Sequence, residues 1–521
     1  MLRAIVLLVL ISLHSIVCDD PTIDVKTSSG VVRGKVITLY NHTVDQFLGI
    51  PFAQPPLGAL RFSKPKPIET PAKDVIDCTA NKDSCMQHDG TGLLKISEDC
   101  LFVDLWAPHS SNASGGALKP VMFWIYGGSL TSGSVALPTY DGALLTSYDV
   151  VIVTTNYRLG AFGFLYGGEE SAPGDVGFFD QLLALKWTKE NIHLFGGDPN
   201  QITIFGESAG SWSVSAHILS PLSRGLFKRA ILESGAIFQD KKAGVLSKEK
   251  ALTEAQQMAK SLNCTDGKLW LDCLRKVDAK TVNDYKGLDI FPIYGTQFLP
   301  LNAQQSFITH NYSADIDIMA GVMRNEGSML GHMEYPKSDS LKTKEDFKSL
   351  VKAVTIPDLD VEKITAFYLT DVVANSTNGT KHAFWEFFGD IAITCPTYLF
   401  AKEFAQNSPK NNVYFYEWTH PSSLLGPLMG CSQEMGVCHA ADIEIVFGMS
   451  VLVHSKDTDF SKSVMQMWTN FAKNGKPMDG TSYKWPRLIE SGVVSPVTKI
   501  KEINPTKPDT ILDNFFEKTC D

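Results

Sequence analysis

The amino-acid sequence predicts an α/β protein built on one large, mainly parallel β-sheet that is flanked by helices. Short apolar runs rich in β-forming residues, such as Val121–Tyr126 and Val150–Thr154, have the length of strands buried on both faces. Gln201–Phe205 is another such strand, and a helical pattern over Ala209–Leu219 follows it almost at once. This alternation indicates parallel strands, because neighbouring parallel strands need a crossover connection.

The same pattern continues on both sides of this segment. The further predicted strands are Val31–Thr38, Leu101–Trp106, Ile316–Ala320 and Val413–Trp418, and the predicted helices are Phe178–His193, Lys248–Leu262 and Phe460–Lys473. A length of 521 residues would suggest several average domains, but no Pro/Gly/Ser-rich linker divides the chain. We therefore predict one domain over residues 19–521, with long insertions between its elements.

Residues 1–18 have the layout of a secretory signal peptide. Met1-Leu2-Arg3 is a short basic start, Ala4–Leu13 is an almost unbroken apolar run, and the chain turns polar from His14. The apolar run is too short to cross a bilayer, and no later run reaches the length of a membrane span. The sequence therefore predicts a secreted, extracellular protein without a membrane span.

Charge and glycosylation motifs agree with that prediction. The net charge of −10 argues against a nucleic-acid partner, whose phosphates need a basic face. Six Asn-x-Ser/Thr motifs are candidate glycosylation sites, which are typical of exported proteins. They begin at Asn41, Asn112, Asn263, Asn311, Asn375 and Asn378.

Ten cysteines are present, and Cys18 lies in the predicted signal peptide. The pairs typical of short-range bridges in an oxidising compartment are Cys85 with Cys100 and Cys264 with Cys273. The pairings that the sequence leaves open are Cys431 with Cys438, Cys395 with Cys520 and Cys520 with a second chain, while Cys78 has no evident partner. No CxxC pair occurs, so a zinc site is not expected.

A Gly-x-Ser-x-Gly motif, Gly206-Glu207-Ser208-Ala209-Gly210, lies between the strand and the helix named first. A serine on a strained strand-to-helix turn exposes its hydroxyl at the end of the sheet, and only small flanking residues permit that turn. The start of the following helix then points at the charge that develops when the hydroxyl attacks a carbonyl. Ser208 is the predicted nucleophile; a glycine-rich turn with a helix-capping serine is the alternative.

A glycine pair after an early strand is a candidate oxyanion hole. Gly127 and Gly128 follow the strand Val121–Tyr126, and their backbone amides, with that of Ala209, are expected to hold a bound carbonyl oxygen. Serine stands at 129 where a glycine is expected, so we expect the Ser129 side chain to narrow the range of substrates or inhibitors. The hydrogen-bond donor predicted at position 129 is the backbone amide, so a serine there keeps the role of that position in the oxyanion hole. A plain loop after a strand is the alternative.

The candidate base and acid come from later loops, in the chain order serine, acid, histidine. His439 lies in a loop of small residues, where catalytic groups are commonly found. Glu326 follows the strand Ile316–Ala320, and a buried carboxylate there would fix the imidazole tautomer and stabilise its cation. Asp442 and Glu444 are rival acids, but they lie too close to His439 in sequence to follow that order. A surface histidine and an ordinary turn glutamate are the alternatives.

Several motifs together resemble the type-B carboxylesterase and cholinesterase family of α/β-hydrolases, over about residues 31–516. They are Gly49-Ile50-Pro51-Phe52-Ala53 followed by Pro55 to Phe62, Ser97-Glu98-Asp99-Cys100-Leu101, Asn156-Tyr157-Arg158-Leu159-Gly160, Gly206 to Gly210, and the segments around Glu326 and His439. The resemblance implies the α/β-hydrolase fold, a catalytic triad of Ser208, Glu326 and His439, and the oxyanion groups Gly127, Gly128 and Ala209. It also supports both short-range disulfides and implies two structural ion pairs, Arg61 with Glu98 and Arg158 with Asp180.

Departures from the cholinesterase pattern bear on the substrate. Cholinesterases stack a choline cation on a tryptophan between the cysteines that match Cys85 and Cys100, whereas Met86–Asp99 contains no aromatic residue. Met329 and Leu330 are aliphatic where cholinesterases carry an aromatic residue, and Lys286–Asp289 lacks their bulky phenylalanines. Glu207 before the serine also disfavours a juvenile-hormone esterase, which usually carries glutamine there. An apolar pocket for neutral esters fits better.

The sequence therefore predicts a secreted serine carboxylesterase that hydrolyses neutral esters through an acyl-enzyme intermediate. Its partner is a small-molecule ester; no cofactor or metal is expected, and a homodimer is left open. The alternative is a catalytically weak or inactive relative that sequesters esters or serves in adhesion. All three triad residue types are present, which favours the enzyme.

Overall fold

A 13-stranded sheet forms the centre of the protein in the computed structural model. The structure describes residues 21–89, 92–109, 116–238, 246–265, 267, 269–354, 360–370, 372, 377–478, 484–490 and 497–520. The predicted signal peptide and the glycosylation motifs at Asn112 and Asn375 lie outside these residues. The strands of the sheet are β1 (Thr22–Thr27), β2 (Gly30–Leu39), β3 (His42–Pro51), β4 (Ile76–Asp77), β5 (Phe102–Pro108), β6 (Lys119–Ile125), β7 (Val151–Thr155), β8 (Gly197–Glu207), β9 (Arg229–Glu233), β10 (Asp317–Met323), β11 (Val413–Trp418), β12 (Lys499–Ile503) and β13 (Ile511–Asp513).

The strand order is β1-β2-β3-β5-β7-β6-β8-β9-β10-β11-β12-β13, with β4 paired to β2. The seven strands from β7 to β12 in this order run parallel to one another, and antiparallel pairs stand at both ends. This confirms the predicted fold class. Because the central strands are parallel, their carboxyl ends meet at one edge of the sheet, where ligands bind in open α/β sheets.

Helices cover the sheet. Those of eight or more described residues are α1 (Val176–Asn191), α2 (Ala209–Leu219), α3 (Lys248–Ser261), α4 (Glu326–Glu334), α5 (Lys344–Ala353), α6 (Val361–Tyr368), α7 (Thr377–Gly389), α8 (Cys395–Asn407) and α9 (Thr458–Asn474). Shorter helices span Ala143–Thr146, Gly160–Phe164, Trp270–Leu274, Ala279–Asp284, Ala303–Ile308, Leu425–Met429, Ile443–Val446, Met449–Leu452 and Glu517–Cys520. A π-helical segment, Asp390–Thr394, joins α7 to α8.

The sheet interior explains why the strand predictions succeeded. Every residue of β7 and of β11 is buried, as expected for strands covered on both faces. Trp124 of β6 packs its ring 4.7 Å from that of Phe205 of β8 and 4.9 Å from that of Phe447. A continuous apolar run is therefore the pattern that such a strand needs, and the predicted strand Val413–Trp418 coincides with β11.

The predictions were less complete in the second half of the chain. Helices α4 to α8 were not assigned from the sequence, although α5 begins with a capping box between Thr343 and Asp346. In the structure α4 packs on α7, α5 packs on α6 and α7, and α8 packs on the strands β10 and β11. β8 also begins at Gly197, earlier than the predicted Gln201.

Four disulfides are present among the described residues. They join Cys85 to Cys100, Cys264 to Cys273, Cys395 to Cys520 and Cys431 to Cys438. Cys78 is free and buried. The two ion pairs implied by the family resemblance are present, with an N–O distance of 2.5 Å from Arg61 to Glu98 and 2.7 Å from Arg158 to Asp180. Within the described part of the chain, none of the helices has the length and hydropathy that a membrane crossing requires.

Candidate active site

The carboxyl ends of three parallel strands bring the predicted site residues to one edge of the sheet. Ser208 follows β8 directly, Gly127 and Gly128 follow β6, and Glu326 lies three residues beyond β10. β8 pairs with β6 on one side and with β9 on the other, and β9 pairs with β10. His439 comes from the long segment after β11.

The turn at Ser208 is sterically strained. Its backbone has φ 57° and ψ −124°, a combination that residues with a side chain rarely adopt. The turn is permitted because Gly206 and Gly210 leave room: a Cβ on Gly210 would lie 2.0 Å from the carbonyl oxygen of Ile125, and one on Gly206 would lie 2.6 Å from it. The Ser208 amide donates to the Glu233 carbonyl at 2.9 Å, which holds the turn against β9.

Glu326 and His439 form a buried pair. Nδ1 of His439 lies 2.6 Å from Oε2 of Glu326, and the Met323 amide donates to Oε1 of the same carboxylate, also at 2.6 Å. Glu326 is 2% exposed and His439 is 6% exposed, so water does not compete for these bonds. With both carboxylate oxygens accepting, one imidazole proton is held at Nδ1, so Nε2 is the nitrogen that gains and releases the second proton.

Two hydrogen bonds of Asn325, which the sequence did not reveal, fix the loop that carries His439. The Asn325 amide donates to the Val437 carbonyl, and the Val437 amide donates to Asn325 Oδ1, both at 3.0 Å. Next to His439, the Cys431–Cys438 disulfide closes the same loop. The acid and the base are thus joined through their neighbours as well as directly. No sequence pattern marks Asn325 for this role, because its partner is 112 residues away.

The second ring nitrogen of His439, Nε2, faces Glu207, the residue before the serine. His439 Nε2 lies 3.1 Å from Glu207 Oε1, but the two atoms lack hydrogen-bond alignment. Among the described residues, neither Nε2 nor the Ser208 hydroxyl makes a hydrogen bond. Burial lowers the pKa of His439, but the nearby carboxylates of Glu207 and Glu326 outweigh it and raise that pKa to about 9. The imidazole therefore holds its proton more tightly than usual.

Buried carboxyl groups surround this pair. Burial raises the pKa of Glu207 to about 8 and that of Glu233 well above its usual range, and it also raises the pKa of Asp442. The indole of Trp468 donates to Glu233 Oε1 at 2.7 Å. Carboxyl groups this close cannot all ionise at neutral pH, so protons are shared within the cluster. Glu233 and Trp468 were not predicted from the sequence, because they lie 235 residues apart.

The rival acids have other neighbours. Glu444 accepts hydrogen bonds from the Ser422 hydroxyl and the Leu425 amide and so holds the loop after β11. Asp442 is fully buried, and its nearest recorded hydrogen-bond donor is the Tyr416 hydroxyl at 3.5 Å. Of the three candidate carboxylates, only Glu326 is hydrogen-bonded to His439 in the described residues.

The loop after β6 has an unusual backbone. Gly128, Ser129 and Leu130 have φ values of 102°, 55° and 59°. A Cβ on Gly127 would lie 2.6 Å from the Glu207 carbonyl oxygen, so this loop packs against the turn at Ser208. In the described residues, no acceptor takes the amide hydrogens of Gly128, Ser129 or Ala209, which leaves them free to bind an anionic oxygen. The Ser129 side chain is exposed.

No group of three or more His, Cys, Asp or Glu side chains has metal-binding geometry within the described residues. The arrangement is instead that of an acyl-transfer site: a strained serine, a histidine paired with a carboxylate, and free backbone amides.

Comparison with known proteins gives a consistent result. A family model described as the carboxylesterase family matches residues 20–511. Acetylcholinesterase-1 of Trittame loki is 36% identical over 505 residues, covering 89% of this chain and 88% of that protein. The cholinesterase of Mus musculus is also 36% identical, covering 89% and 81%, and the acetylcholinesterase of Bungarus fasciatus is 34% identical, covering 90% and 81%.

Proposed function

Because the chain belongs to the carboxylesterase family, we propose that it hydrolyses carboxylic esters of neutral alcohols through an acyl-enzyme intermediate on Ser208. The observation that carries the proposal is the buried hydrogen bond between His439 and Glu326, beside the strained turn that presents the serine. This pair supports general-base catalysis, since the proton held at Nδ1 leaves Nε2 as the nitrogen that exchanges a proton with Ser208.

In the first step, Nε2 of His439 takes the proton of the Ser208 hydroxyl while Oγ attacks the ester carbonyl. The negative charge that develops on the carbonyl oxygen is held by the amides of Gly128, Ser129 and Ala209. The alcohol leaves with the proton from His439. Water then repeats the sequence on the acyl-enzyme and releases the acid, so that serine and imidazole return to their initial states.

The proposed preference for neutral esters rests on what the chain lacks at the positions discussed above. No aromatic residue lies between Cys85 and Cys100. Met329 and Leu330, which follow the turn at Glu326, are aliphatic; Met329 is buried and Leu330 is partly buried. An aliphatic wall binds apolar groups but lacks the π-face that attracts a quaternary ammonium. The similarity to proteins named as cholinesterases therefore supports ester hydrolysis. The substrate of this protein, in contrast, is proposed to be uncharged.

We further propose that the protein is secreted. Four disulfides are typical of an oxidising compartment, and the candidate glycosylation residues Asn41, Asn263 and Asn378 are exposed. Expression in cultured eukaryotic cells tests this. We expect the protein in the medium, with a mass that falls after glycosidase treatment. Retention in the cytosol with free thiols would contradict secretion.

The function is tested with Ser208→Ala and the neutral ester p-nitrophenyl butyrate. Loss of the nucleophile is expected to reduce kcat at least about 10³-fold while the melting temperature is retained. Ser340→Ala, at an exposed serine remote from the site, serves as the control and should keep full activity. Undiminished turnover by Ser208→Ala would refute the role of this serine.

One observation favours the weaker alternative, a protein that binds esters but turns them over slowly. His439 Nε2 faces Glu207 at 3.1 Å and makes no hydrogen bond to Ser208 in the described residues. If that arrangement persists with substrate bound, acylation will be slow. A fluorophosphonate probe and pre-steady-state kinetics distinguish the two: stoichiometric labelling with a burst and negligible steady turnover would favour the alternative.

A further inference from the structure

A cavity of about 520 Å³ lies against the turn that carries Glu326. Helices α4 and α7, the π-helical segment and the C-terminal helix enclose it, and its apolar lining includes Trp385, Met435, Phe515 and Phe516. Neither Ser208 nor the loop after β6 contributes to its walls. Its volume is in the range of cavities that hold drug-sized organic molecules.

The cavity carries an excess of negative charge. Glu417 is paired with Arg324 at 3.1 Å, and Glu434 with Lys381 at 2.6 Å. Glu386 and Asp390, in contrast, have no recorded cationic partner among the described residues; Asp390 accepts only from the Tyr368 hydroxyl, at 2.8 Å. Spaced i,i+4, Glu386 and Asp390 line the same cavity, and two like charges so placed destabilise a helix.

Burial is the main cause of the shifted protonation of these two groups. Burial is the main reason that the pKa of Asp390 is raised to about 7. The hydrogen bond from Tyr368 lowers this pKa, and the nearby Glu386 raises it. Glu386 lines the cavity with an exposed side chain, and its partial burial raises its pKa as well. A cation between them would relieve the repulsion and the desolvation together.

Thr394 supplies an independent observation. Its side chain is 5% exposed and lines the cavity, yet its hydroxyl makes no hydrogen bond to any described residue. Thr365 and Thr397, in ordinary helical surroundings, donate to the carbonyl four residues earlier, each at 2.6 Å. Thr394 lies instead in the π-helical segment, a feature frequent at functional sites. A residue that is nine-tenths buried thus presents to the cavity a hydroxyl with no protein partner in the described residues.

From these features we propose that the cavity beside Glu326 is a binding site for an organic primary ammonium compound with an aromatic or aliphatic body. The ammonium lies between Glu386 and Asp390, Thr394 accepts one of its hydrogens, and the body packs on Phe515 and Phe516. A metal ion fits less well, because no metal-binding group of side chains is found in the described residues. The proposal rests on this cavity and does not depend on the esterase function.

The test is isothermal titration of 2-phenylethylammonium chloride into the full-length Ser208→Ala protein, which removes turnover from the measurement. We expect one binding site per chain. The double variant Glu386→Gln/Asp390→Asn is expected to bind at least about tenfold more weakly, which corresponds to about 1.4 kcal/mol. The neutral analogue 2-phenylethanol should bind the unaltered cavity at least about tenfold more weakly as well.

Two controls make the outcome decisive. Glu345→Gln removes an exposed carboxylate of α5 outside the cavity and should leave the affinity unchanged. The double variant should melt no earlier than its parent, because it removes a repulsion, so a weaker affinity cannot be attributed to unfolding. Equal affinity of parent and double variant, or no binding up to about 10 mM ligand, would overturn the proposal.

Discussion

Replacing Glu326 by glutamine probes the triad while keeping the size of the side chain. Each carboxylate oxygen has one donor: the Met323 amide on Oε1 and Nδ1 of His439 on Oε2, each at 2.6 Å. Glutamine has only one oxygen, so it can accept from one of them. The other position then receives an NH₂ group.

The Met323 amide decides which way the glutamine turns. If the NH₂ faced that amide, two donors would meet and a buried N–H would lose its partner, at a cost of about 1–3 kcal/mol. If the oxygen faces it, the NH₂ donates to Nδ1 of His439, and the imidazole needs only to move its proton to Nε2. The second arrangement is therefore favoured by about tenfold to about a hundredfold.

A proton on Nε2 blocks the proposed base, since that nitrogen can no longer accept from Ser208. The favourable interaction of the imidazolium with a carboxylate is lost as well. Together we expect kcat to fall by about 10³–10⁴-fold, or about 4–5 kcal/mol in activation free energy. The melting temperature should change little, because both hydrogen bonds are replaced.

The assay is steady-state hydrolysis of p-nitrophenyl butyrate, with kcat and KM determined separately and melting followed by circular dichroism. KM should change little, since the glutamate is not proposed to touch the substrate. Glu334→Gln, at an exposed carboxylate at the end of the same helix, α4, serves as the matched control and should keep kcat within a few-fold. A kcat of Glu326→Gln within tenfold of the parent would refute the role given to Glu326.

Three further results are expected from the same structure. Glu207→Gln removes a charge that raises the pKa of His439, so the acid limb of the kcat/KM profile should move to lower pH. Glu233 does not contribute to that pKa, so Glu233→Gln should leave the acid limb in place. An unmoved acid limb in Glu207→Gln would contradict the assignment of that limb to His439. Ser129→Gly keeps the backbone amide and suits φ 55° better than serine does, so kcat should not fall, and a large loss would mean that the hydroxyl itself takes part. Cys431→Ser/Cys438→Ser should lower stability by about 2 kcal/mol and lower kcat with it, because the disulfide closes the loop before His439; unchanged melting and kcat would show that Asn325 alone holds the loop.

Local sterics allowed the sequence by itself to predict the fold class and the position of the candidate nucleophile. A strand buried on both faces must be a continuous apolar run, so β6, β7, β8 and β11 were predicted to within a few residues. The turn at Ser208 needs small residues on either side of the serine, and this requirement is visible within five consecutive positions. The order serine, acid, histidine and the resemblance to the carboxylesterase and cholinesterase family then pointed to Glu326 and His439.

The tertiary structure decided what depends on contacts between distant segments. The contact of His439 with Glu326, and the position of its Nε2 facing Glu207, follow from the packing of the segment after β11 against the turn after β10. The bonds of Asn325 to Val437 and of Trp468 to Glu233 join residues 112 and 235 positions apart. The walls of the cavity beside Glu326 come from α4, α7 and the C-terminal residues, so its shape depends on a packing of distant segments that local periodicity does not encode.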